Sequence, residues 1–125
     1  MPHVSQREAR AYSMHGVTFT SFASSSTGAA SLAAWRADFP PRTAGEQHTM
    51  SHEEVLFVLS GHLDVQLDDE HFVAAAGDAV LVPADVTFRV GNSADEPAQI
   101  WATTGLGMTA SVVGDDVRLA PPWAQ

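Results

Sequence analysis

Hydrophobic and polar positions alternate in short runs along most of the chain, and glycine, proline or small polar residues separate the runs. Residues 17–22 (Val-Thr-Phe-Thr-Ser-Phe) are β-branched and aromatic, a composition that favours a strand. Residues 24–28 form a small-residue turn, and 31–39 read as a second strand stopped by Pro40-Pro41. The run 53–60 is apolar on both parities, which predicts a strand covered on both faces. Gly61 turns the chain into 62–67, where apolar and polar positions alternate. Asp68-Asp69-Glu70 predicts a charged hairpin tip, followed by a return strand at 71–76 and a turn at Gly77-Asp78. Residues 79–82 read as a buried strand ended by Pro83, with further strands at 87–90 and 98–104. The stretch 5–12 is the one weak helix candidate, and the tail 120–125 is too rich in proline for regular structure. Short strands at regular spacing predict an all-β sandwich or barrel.

A length of 125 residues with 45% apolar content suits one domain able to bury a core. There are no cysteines, which removes disulfides and thiolate metal sites. The net charge of −9 works against nucleic acid and anionic membranes as partners. No leader-like run stands at the start, and no window reaches the roughly 18 apolar residues of a membrane span. A cytoplasmic location is expected.

Candidate chemistry concentrates at His48-Thr49-Met50-Ser51-His52-Glu53-Glu54. Residues two apart on a strand share a face, so His48, Met50, His52 and Glu54 could line one surface. Imidazole and carboxylate together can hold a metal or act as an acid/base pair. A solvated polar strand approach is the alternative reading.

Gly45, His48, then Glu54 followed by six residues and Gly61 resembles the first motif of the cupin family. Gly77, five residues, Pro83 and then Asn92 resembles the second. The resemblance implies a cupin-type double-stranded β-helix, or jelly-roll barrel. It divides the chain into an N-terminal extension at 1–16, a barrel at 17–110 and a tail at 111–125. Metal-binding cupins use two His and a Glu from the first motif and one His from the second. Here His48 and Glu54 match, Met50 and Phe88 stand at the other two ligand positions, and Asp85 replaces a motif glycine.

No metal cofactor is therefore expected. The alternatives are Fe, Mn, Zn or Ni held by His48, His52 and Glu54, or Cu(I) held by Met50, His48 and His52. His62 and His71 read as solvated. Without metal, a Glu54 carboxyl in an apolar barrel should hold its proton to unusually high pH and, with His48, form a catalytic acid/base pair suited to an isomerase, lyase or cyclase. Met50, Phe88, Trp35 and Trp101 are the expected ligand contacts; Trp123 is a further aromatic able to line or cap the mouth. The face of Val55, Phe57 and Leu59 points away from Glu54 and predicts a homodimer, unless the segment 1–16 covers it. Three functions follow: a small-molecule binder or metal-independent enzyme, a metal-dependent oxygenase-like protein, or a structural or sensory dimer.

Overall fold

The sequence runs predicted as strands are strands in the computed structural model, which describes residues 3–125. The first two residues of the expected extension lie outside the described ones. In chain order the strands are β1 (Arg10–Met14), β2 (Val17–Ala23), β3 (Leu32–Phe39), β4 (His48–Met50), β5 (Glu54–Ser60) and β6 (His62–Leu67). They continue as β7 (Glu70–Ala75), β8 (Ala79–Val82), β9 (Phe88–Gly91), β10 (Ala98–Gly105), β11 (Ala110–Val112) and β12 (Arg118–Leu119). Two antiparallel sheets face each other, ordered β1-β2-β3-β10-β5-β8 and β12-β11-β4-β9-β6-β7. Among the described residues no helix is long and apolar enough to cross a membrane.

The inward parity of each strand builds the core. Val58, Leu63, Val65, Ala74, Val80 and Val82 are buried between the two sheets. Trp35, Phe39, Met50, Leu56, Phe88, Ile100 and Met108 surround space that they do not fill.

The motif residues have mechanical explanations. Gly61 sits at φ 74°, and a Cβ there would press on the Pro97 carbonyl, so only glycine suits the β5–β6 turn. Asp85, where the resemblance expects glycine, also takes a left-handed conformation, φ 64°, which Asp tolerates better than most residues. Its N–H donates to the Met50 carbonyl at 2.8 Å, tying the β8–β9 loop to β4. Asn92 is buried; its Nδ2 donates to the Pro40 and Glu96 carbonyls at 3.2 and 2.7 Å, and its Oδ1 accepts from Ala94 N–H. This asparagine pins two loops together.

Several expectations are corrected. Residues 5–12 are not a helix: Ser5 closes one turn by accepting from Glu8 and Ala9, and β1 then pairs with β2. That pairing puts residues 10–14 at the edge of the first sheet farthest from β5 and β8, so they do not cover the outer face of β5. Strand β8 is half-buried rather than buried, with Leu81 62% exposed. Strands β1, β11 and β12 extend the sheets beyond the expected barrel limits of 17–110. The tail is not wholly irregular, since Pro122–Ala124 forms a single 3-10 turn with Trp123 and Ala124 buried.

Candidate active site: an apolar cavity around a lone carboxyl

The unfilled space is a cavity of about 150 Å³, bounded by both sheets and by the C-terminal tail. Exposed His15, Ala44, Glu46 and Leu119 mark its mouth, and the interior is almost wholly apolar. Four of the sequence candidates meet there: His48, Met50, Glu54 and Phe88 all line it, and so does Trp35. Trp101 does not. It lies on the outer face of the first sheet, its ring tilted against Phe22, because Ile100 and Ala102 take the inward parity of β10. Trp123 takes the place at the cavity instead.

Glu54 opens β5 and pairs with Val82 on one side and Thr104 on the other. Its side chain is 4% exposed, and its Oε2 is buried without a hydrogen-bond partner. The Thr104 hydroxyl does not relieve it, because that group donates to the Glu53 carbonyl at 2.6 Å. An ionised carboxylate in such a place loses hydration with nothing in return, so burial pushes the Glu54 pKa up to about 8. At neutral pH the group is a protonated acid.

His48 sits across the cavity on β4, paired in register with Phe88 and packed on its ring at a centroid distance of 4.1 Å. Burial lowers its pKa below the usual histidine value, so the ring is neutral at pH 7. The Glu46 carbonyl lies 2.9 Å from Nδ1 and must accept a proton from it, which leaves Nε2 with a free lone pair. One protonated acid and one neutral base thus share an apolar chamber.

The donors do not fit the family's four-ligand metal site. Two of its positions are Met50 and Phe88, both buried, and the latter puts a ring beside His48. The set His48, His52 and Glu54 is not assembled either. His52 exchanges a 2.6 Å hydrogen bond with the Ser51 hydroxyl and lies against Gly105, away from the cavity lining. Among the described residues no three His, Asp or Glu side chains converge as a metal site. His62 and His71 are exposed.

A larger open groove of about 660 Å³ crosses the outside of the second sheet, past Arg42, Asp64, Gln66, His71 and Arg89. Its polar groups are satisfied locally: Arg42 pairs with Asp95, Arg89 donates to Gln66, and Asp64 accepts from Ser93 N–H. No buried polar atom there lacks a partner, so the barrel cavity is the candidate site.

Comparison with known proteins agrees with this architecture. The cupin-domain family profile matches residues 35–104, more than half of the chain. The chain belongs to the cupin family. This cupin is 32% identical over 92 residues to "Polyketide synthase CurC" of Streptomyces cyaneus, covering 66% of the chain and 60% of that protein. The cupin thus spans less than two thirds of that relative's length. Among solved structures it resembles the polyketide cyclase RemF from Streptomyces resistomycificus, with TM-score 0.76 and 13% identity over 97% of this chain and 85% of that one. It also resembles a sugar phosphate isomerase of the cupin superfamily from Silicibacter pomeroyi, with TM-score 0.70 and 17% identity over 88% and 77% of the two chains. At these identities the two structures speak for the fold alone.

Proposed function

We propose that this cupin binds a small, largely apolar carbonyl compound in its barrel and moves a proton next to the carbonyl, without metal, as an isomerase, lyase or cyclase would. The observation that carries this reading is the buried Glu54 Oε2 with no partner, in a cavity that has room for a ligand. A native fold seldom leaves a buried polar atom unsatisfied without a use for it. Glu54 would donate its proton to the carbonyl oxygen. His48 Nε2 would take a proton from the adjacent carbon, and the enol so formed could close a ring or shift a double bond. Two of the related proteins are named for polyketide chemistry, and polyketides are rich in such carbonyls.

Acetophenone in deuterated water tests the chemistry. Its methyl protons should exchange faster in the presence of the protein, followed by proton NMR. Glu54→Gln and His48→Ala should each slow the protein-dependent rate by about 100-fold or more, the usual contribution of a placed acid or base. Equal rates for wild type and Glu54→Gln would remove the proposed proton transfer.

We also propose that two copies pair through the outer face of the first sheet. Phe57 of β5 lies between Trp101 of β10 and Ala79 of β8, and Val55 lies beside Leu81. Val55, Phe57 and Leu59 are each about 40% exposed, a continuous apolar strip that water disfavours. At its edge Arg36 and Asp38 pair at 3.2 Å, so a two-fold copy brings both signs of charge to its partner. In sedimentation at micromolar concentration the wild type should run as a dimer, and Phe57→Glu with Leu81→Glu should run as a folded monomer. A monomeric wild type would contradict the pairing.

A further inference from the structure

The C-terminal tail supplies a wall of the Glu54 cavity that the family-matched segment, ending at residue 104, does not include. From β12 at the edge of the second sheet the chain crosses to the inner side of the first sheet. There Trp123 stacks on Phe19 with parallel rings, centroids 3.9 Å apart, and tilts against Tyr12 at 6.2 Å. Both Phe19 and Trp123 line the cavity, and Trp123 is 6% exposed. The tail around the ring is docked by polar bonds. Gly107 N–H donates to the Ala124 carbonyl at 2.8 Å, Ser25 N–H donates to the Gln125 carbonyl at 3.0 Å, and Gln125 Nε2 donates to the Met108 carbonyl at 2.8 Å.

The indole therefore occupies a fixed share of the barrel interior, and the space left is about 150 Å³. Apolar cavities on the order of 150 Å³ take a guest the size of benzene. A fused ring system needs the space that the indole fills.

We propose that Trp123 sets the size of ligand the Glu54 cavity accepts, restricting it to a single-ring ketone or phenol with its oxygen toward Glu54. This rests on the reading of the cavity as the ligand site, and on the parallel Phe19–Trp123 stack that fixes the ring in the wall. Removing the indole enlarges the chamber without touching Glu54 or His48.

Calorimetric titration with acetophenone and 2-acetonaphthone, which carry the same carbonyl on one and on two fused rings, tests this. Wild type should bind acetophenone at least tenfold more tightly than 2-acetonaphthone. Trp123→Ala should reverse that preference, and Trp123→Phe, which keeps a ring on Phe19 and guards against a folding defect, should fall between. Gln125→Ala loosens the tail but leaves the indole, and should keep the wild-type ratio. Folded Trp123 variants with the wild-type ratio, or a reversal in Gln125→Ala as well, would overturn the role of the ring while leaving the cavity as a ligand site. Binding of neither ketone to any of the four proteins would overturn the cavity reading itself.

Discussion

Replacing Glu54 with Gln should stabilise the protein increasingly as pH rises from 5 to 9. In the folded chain the carboxyl keeps its proton up to about pH 8, whereas unfolding returns it to the ordinary carboxylate range. Below that ordinary range both states hold the proton, and the titration contributes nothing to the difference between the two proteins. Between the two pKa values only the unfolded wild type ionises, so wild-type stability falls with rising pH at up to about 1.4 kcal/mol per pH unit. Above about pH 8 the folded form ionises as well and the loss levels off. The Glu54→Gln variant, with no proton to lose at this position, escapes the whole slope. Urea unfolding at pH 5, 7 and 9 should show a gap between variant and wild type that widens to several kcal/mol, a large fraction of a domain's total stability. Burial also lowers the His48 pKa, so the comparison is between the two proteins at each pH and not across pH for one of them. A constant gap would place Glu54 in contact with water.

The second large effect is a gain of function. Met50→His together with Phe88→His should turn the cavity into a divalent metal site. Met50 lies two residues from His48 on the same face of β4, Phe88 is the cross-strand neighbour of His48, and all three line the cavity with Glu54. Three imidazoles and a carboxylate then converge where the wild type offers one of each. Zinc or nickel titration should give a Kd in the roughly micromolar range or tighter for the double variant. Without metal the variant should melt below the wild type, because truncating a buried Phe alone costs about 3–5 kcal/mol and the new imidazoles must be buried. Metal should recover much of that loss through binding to the folded state only. No heat of binding in a folded variant would mean that the four positions do not share one interior.

Much of this frame is legible in the sequence because barrel strands carry their own punctuation. Gly61 and Asp85 sit where the backbone takes positive φ, and Pro40 and Pro83 follow directly on strands β3 and β8. The alternation of 62–67 becomes β6 with Leu63 and Val65 inward and His62 exposed. The placement of Glu54 opposite the face of Val55, Phe57 and Leu59 follows from the same period of two.

The aromatic residues of the site are less legible. In β10 the parities Ile100, Ala102 and Trp101, Thr103 are both acceptable on an inner face, so periodicity does not reveal that Trp101 points out. Trp123 lies in a proline-rich turn with no strand period, and only the docking of the tail across both sheets brings it to the cavity. Phe19, Ile100 and Met108 line the same chamber and carry no local signal beyond hydrophobicity. Strand β1 gives only a weak pattern, because Tyr12 and Met14 pack against the core while its other three residues are exposed.

Whether the Glu54 carboxyl holds its proton at neutral pH inside the apolar chamber decides the rest. Carbon-13 NMR of the side-chain carboxyls, with Glu54 assigned by its absence in Glu54→Gln, reads this directly across a pH titration of the wild type. A midpoint near 8 is the predicted result. A midpoint near 4.5, the value of a solvated glutamate, would contradict the site and the chemistry built on it.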